Sequence, residues 1–105
     1  MVRYTTPTIR MRVKQFEFPA DCDIYVSFEQ KPIKLVKRDP VLTIDDEDTI
    51  VEVTLTQEET GKFKACEPVE IMINWITPNG YRDNTNIAQV NSYRNLLDEV
   101  IKYGD

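Results

Sequence analysis

DTIVEVTLTQEETGKFKACEPVEIMINWI, residues Asp48 to Ile76, passes through three periodicities in succession. From Thr49 to Leu55 the apolar Val51, Val53 and Leu55 alternate with Glu52 and Thr54, the pattern of a strand with one buried side. Thr56-Gln57-Glu58-Glu59 then has the spacing of a capping box: the Thr56 hydroxyl can accept from the Glu59 amide while the Glu59 carboxylate reaches back to the Thr56 amide. Gly61 predicts the end of that helix after little more than one turn. From Val69 to Trp75 the alternation resumes, with Val69, Ile71, Ile73 and Trp75 on one face and Glu70, Met72 and Asn74 on the other. A strand, one helical turn and a second strand predict an arch between two sheets.

Working outward, the flanks repeat the strand pattern. Ile9, Met11 and Val13 alternate with Thr8, Arg10, Arg12 and Lys14, a first strand with a basic outer face. Phe16, Phe18 and Pro19 lead to a second strand with Cys22, Ile24, Val26 and Phe28 inward and Asp23, Tyr25 and Ser27 outward. Gln30-Lys31 is the expected hairpin connection to a third, basic strand through Ile33 and Leu35. Asp39-Pro40 interrupts the chain, as Pro does between strands. Val41 to Ile44 forms a short fourth strand, and Asp45 to Asp48 is the turn before the central stretch. Beyond Trp75, Pro78-Asn79-Gly80 signals a turn. Tyr81 to Val90 is the returning strand, with Ile87 and Val90 its apolar positions and the polar Arg82 to Asn86 an edge, a bulge or a loop tip. Asn95 is placed to cap a closing helix over LLDEVIKYG, part of a terminal segment at 94–105, with apolar Leu97, Val100 and Ile101 and Gly104 as its stop.

About seven strands bounded by turn residues predict an all-β, antiparallel, immunoglobulin-like sandwich with a short C-terminal helix, in one domain over residues 1–105. A barrel of the oligonucleotide-binding type is the alternative. The length suits one domain with a core of its own.

Composition narrows the function by exclusion. Without histidine, His-based triads and His metal sites are excluded. Three glycines, all scattered, make no phosphate-binding loop. Cys22 and Cys66 lack the further ligands of a zinc site, and with no export signal they are expected as free thiols. The acidic run Asp45 to Asp48 lacks the spacing of a calcium loop. No catalytic, cofactor-binding or metal-binding residue is expected. The net charge of −5 argues against nucleic-acid binding, and no apolar run is long enough to span a bilayer. Charge is unevenly spread, with eight Lys/Arg against four Asp/Glu over residues 1–38 and two against ten over 39–70. Such a division suits contact with another copy or a fixed partner, unless the two parts intermix in space. The residues singled out for contact are Tyr25, an outward aromatic, and Leu96, Val100 and Tyr103 of the terminal segment. Leu96 and Leu97 diverge by about 100° on a helix, so their apolar set is too broad for one stripe.

The run LTQEETGKFK, the strand VEIMINWI, the turn at Asn79-Gly80 and the closing NLLDEVIKYG resemble small proteins encoded in the tail region of phages and prophages of Gram-positive bacteria. YTTPTIRMRV and DIYVSFEQ fit the same pattern. The resemblance covers most of the chain and is most specific from Thr56 to Asn79. It implies a sandwich similar to the N-terminal domain of phage upper-baseplate proteins and a non-enzymatic role in tail assembly. Its partners would be other copies or tail and baseplate proteins, met in the bacterial cytoplasm and then in the virion tail. Two other roles fit the residues: a carbohydrate-binding module for cell-surface glycans using Tyr25, and a prophage-borne regulator that binds a host protein.

Overall fold

The computed structural model describes residues 1–104. The elements in chain order are β1 (Thr8–Val13), β2 (Asp23–Gln30), β3 (Ile33–Arg38), β4 (Val41–Asp45), β5 (Asp48–Thr54), α1 (Gln57–Gly61), β6 (Pro68–Ile76), β7 (Arg82–Asn84) and β8 (Ala88–Asn91). The strands form two antiparallel sheets. One has the order β1-β5-β4; the other has β3-β2-β6, with β7 and β8 both paired to the far side of β6.

The core lies between the sheets and follows the alternations. Val51, Val53 and Leu55 come from the first sheet side, and Ile24, Val26, Phe28, Val69, Ile71, Ile73 and Trp75 from the second. Phe63, on the loop after α1, is fully enclosed among them. Trp75 closes one end against Phe16 and Phe18, with ring centroids 5.0 and 5.1 Å away. Ile50 departs from the alternation: it points outward with Glu52 yet is buried. Its cross-strand neighbour Arg12 stretches along that face to Asp45 and Asp48.

The expected turn at Asp45–Asp48 tightens to Asp46-Glu47, with Asp45 and Asp48 already paired and Asp46 at φ 60°, a region Asp tolerates. The returning strand is not continuous. The register shifts by one between Asn74↔Asn84 and Ile71↔Ala88, so three residues, Thr85 to Ile87, oppose two of β6. This is a bulge. The Thr85 hydroxyl takes the Ile73 amide and the Thr85 amide bonds the Ile73 carbonyl, which holds the bulge closed. Of the two apolar positions expected on this strand, Ile87 lies in the bulge and is exposed, while Val90 packs against the core. The split makes eight strands instead of about seven.

The C-terminal helix does not form. Among the described residues α1 is the only helix, and residues 94–104 run without regular structure; Asp105, the last residue of the expected helix, lies outside the described residues. Asn95 does make the bond of a cap, its Oδ1 accepting from the Leu97 amide at 3.1 Å. The next turn fails because Gln57 on α1 claims Ile101: Gln57 Nε2 donates to the Ile101 carbonyl and Oε1 accepts the Ile101 amide, each at 2.9 Å. That amide is the donor a helix would send to the Leu97 carbonyl. A helix of about nine residues has too few bonds to outlast such competition, since its nucleation is costly.

The basic and acidic parts of the sequence intermix within the chain. Arg10 meets Glu52 at 3.4 Å, Arg12 reaches Asp45 at 2.7 Å and Asp48 at 2.8 Å, and Lys37 meets Glu59 at 3.0 Å. The basic face of β1 is therefore matched by the acidic hairpin beside it.

Candidate interaction surfaces

The short helix α1 is where distant parts of the chain are tied together. Thr56 caps it as expected. Its hydroxyl accepts from the Glu59 amide at 3.2 Å, and Glu59 Oε1 accepts the Thr56 amide at 2.8 Å. Thr60, fully buried, accepts the Thr5 amide at 3.0 Å and donates to the Thr5 carbonyl at 2.8 Å. Gly61 lies against the Tyr4 ring so closely that a Cβ would fall 2.4 Å from it, and its carbonyl accepts from Arg3. Arg3 also pairs with Asp98 of the C-terminal segment and lies 5.1 Å from the centre of the Tyr4 ring. The N-terminal and C-terminal segments thus share one anchor.

Glu59 experiences opposed effects. Burial pushes its carboxyl pKa up, but the Thr56 amide and the Lys37 ammonium outweigh burial and hold it below the usual carboxylate range. A depressed folded-state pKa means that this contribution is complete above the unfolded carboxyl value, about 4.3, and is lost as pH falls through the folded value. Thr56→Ala is expected to cost about 1 kcal/mol in urea denaturation at neutral pH. Between about pH 5 and pH 3, wild type should lose stability faster than Glu59→Gln. Parallel pH profiles for the two proteins would show that Glu59 gains nothing from its ionisation.

The contact residues expected from sequence lie in two places. Tyr25 is on the outer face of β2, between Arg38 and Asn74 in the cross-strand register. It borders a shallow groove of about 340 Å³ shared with Val36, Asn74 and Arg82. The Arg38 guanidinium sits 4.8 Å from the ring centre, so one face of the ring is already occupied. Leu96, Val100 and Tyr103 are all exposed along the C-terminal segment, together with Leu97 and Ile101. Hydrogen bonds from this segment go to Arg3 and Gln57, away from the Tyr25 groove.

Sequence reasoning places β4 but not its exposure. It predicts a strand there, and the strand forms, but all five of its residues are exposed. Val41 is 64% exposed, Leu42 41% and Ile44 59%. Their spacing in sequence is that of any core strand. A faint sign was available: the strand is only five residues long and follows Asp39-Pro40, as a sheet edge does.

Both cysteines are free. Cys22 packs partly against the core, where burial pushes its thiol pKa up, and Cys66 is exposed. Of the acidic run Asp45 to Asp48 weighed as a cation site, Asp45 and Asp48 are both bound by Arg12. No group of three or more Cys, Asp and Glu side chains suited to a metal occurs among the described residues. No helix among them is long and apolar enough to cross a membrane.

These features define a two-sheet, antiparallel β protein with apolar side chains left exposed on one sheet edge and on its C-terminal segment. Comparison with protein-family models, curated proteins and solved structures finds no match to the chain.

Proposed function

We propose that this is a non-enzymatic structural protein of phage or prophage tail origin, an assembly adaptor that works by docking other subunits. The observation that carries the adaptor reading is the distribution of exposed apolar side chains. They gather on β4 (Val41, Leu42, Ile44) and on the C-terminal segment (Leu96, Leu97, Val100, Ile101, Tyr103), whereas the other exposed apolar residues, such as Val36, Tyr81 and Ile87, are scattered along the sequence. Contiguous exposed apolar surface is what a docking protein presents. Tail origin rests on the sequence resemblance.

The finer fold reading within this proposal is immunoglobulin-like. Its support is strand order. The sheets β1-β5-β4 and β3-β2-β6-β7 correspond to strands B-E-D and C′-C-F-G of such a sandwich, with strand A missing. The bulged β7–β8 then stands in for strand G.

Carbohydrate binding is the second reading, favoured by the groove that joins Tyr25 to Asn74 and Arg82. Arg38 counts against it, because a sugar stacking on that ring face must displace the guanidinium. The deciding experiment is mass spectrometry of particles purified from an induced host that carries the gene. The protein is expected at a fixed ratio to tail subunits. Its absence from particles and from assembly intermediates, together with heat on titration with cell-wall sugars, would replace the adaptor with the glycan reading.

A further inference from the structure

β4 ends its sheet, and its outward backbone edge has no partner among the described residues. Edge strands are usually guarded by charged side chains, lysine above all, by proline, by bulges or by being very short. The other edges here follow that rule. β3 carries Lys34, Lys37 and Arg38, β1 carries Arg10 and Arg12, and β7 and β8 have three and four residues. β4, with the sequence VLTID, has no Lys, Arg or Pro, and its five residues pair with β5 without a break.

We infer that β4 pairs antiparallel with β4 of a second copy, joining two three-stranded sheets into one of six strands. This rests on the adaptor reading and names the first subunit it docks: itself. The argument for a second copy is the self-complementary order of the strand. About a two-fold axis at Thr43, Val41 lies opposite Asp45, Leu42 opposite Ile44, and Thr43 opposite Thr43. Leu42 and Ile44 point to the same side as Val51 and Thr49, so the Leu–Ile pairs form twice on one face. Such a cross-strand apolar pair is favourable, and like charges never meet. The Asp45 carboxylate is already paired within its own chain with Arg12, which it shares with Asp48.

Other registers are worse. An antiparallel strand can slip only in steps that keep paired side chains on the same face. Centring on Leu42 sets Pro40, which has no amide hydrogen, opposite Ile44. Centring on Ile44 brings in Asp46, whose φ of 60° is outside the strand region. Only the Thr43-centred register pairs all five residues. A seam this short predicts a concentration-dependent equilibrium.

Sedimentation velocity of the intact chain from about 10 μM to about 1 mM tests it, over the range expected of a weak interface. Wild type should move from monomer toward dimer. Thr43→Lys, which sets two like charges across the axis at an exposed position, should remain monomeric with an unchanged circular dichroism spectrum. In a Cys22→Ala/Cys66→Ser background, Thr43→Cys should oxidise to a covalent dimer and Ile44→Cys should not, because Ile44 faces Leu42. The cysteine pair also decides the matter if Thr43→Lys fails to fold. Wild type that stays monomeric throughout, dimerisation that survives Thr43→Lys, or crosslinking by Ile44→Cys equal to that by Thr43→Cys would each overturn the pairing. A monomer in solution removes this seam but not the adaptor, which is judged by the content of purified particles. Absence from particles removes the adaptor but leaves a measured dimer standing.

Discussion

Trp75→Ala is expected to lower folding stability by about 3–5 kcal/mol. The indole is 5% exposed and sits at the end of β6, where the loop after β1 folds back to place Phe16 and Phe18 on it. Phe18 meets it edge-on at 90°, and Phe16 at 51°, so both contacts use favourable aromatic geometry. Truncation loses the burial and opens a cavity beside Phe16 and Phe18. Trp75→Phe should recover more than half of the loss. Equilibrium denaturation in urea measures both variants. A cost below about 1.5 kcal/mol would mean that the aromatic cluster relaxes into the gap.

Gln30→Ala is expected to cost about 2–4 kcal/mol, a large loss for a polar side chain. Gln30 ends β2, is buried, and its amide serves the loop that follows α1. Oε1 accepts the Lys64 amide at 2.6 Å, and Nε2 donates to the carbonyls of Lys64 at 3.0 Å and Glu67 at 3.3 Å. Without it, several partly buried backbone groups lose their partners together. The same loop holds Phe63 in the core, so loosening it also loosens a fully buried ring. Gln30→Met keeps the volume and removes the hydrogen bonds. If the methionine variant is as stable as wild type, packing and not the amide holds the loop.

The central stretch was legible because its information is local. A strand with one buried side writes its period directly into Val51, Val53, Leu55 and again into Val69, Ile71, Ile73, Trp75, and the capping box is a contact between residues three apart. The failures have a non-local cause. LLDEVIKYG has helical spacing, but its fate is decided by Gln57, more than forty positions earlier, which takes the Ile101 backbone for itself. Ile87 reads as a core position until a bulge shifts the register. β4 reads as an ordinary strand, and only the placement of the opposite sheet leaves its apolar side chains uncovered. Of the contact residues, Leu96, Val100 and Tyr103 are exposed on a segment that is not the expected helix, and the Arg38 contact that occupies a face of Tyr25 depends on strand pairing.

The two end segments run side by side in the same direction: Val2 pairs in parallel with Tyr93, the Tyr93 amide bonds the Met1 carbonyl, the Arg3 amide bonds the Tyr93 carbonyl, and the Asn95 side chain reaches the Arg3 carbonyl. Tension applied at the two ends in opposite directions would act across these bonds, loading them in shear, so that they resist together and break together. A hairpin pulled at its two ends would instead unzip one bond at a time. The expected signature in single-molecule stretching is a distinct peak force before the sheets begin to unravel.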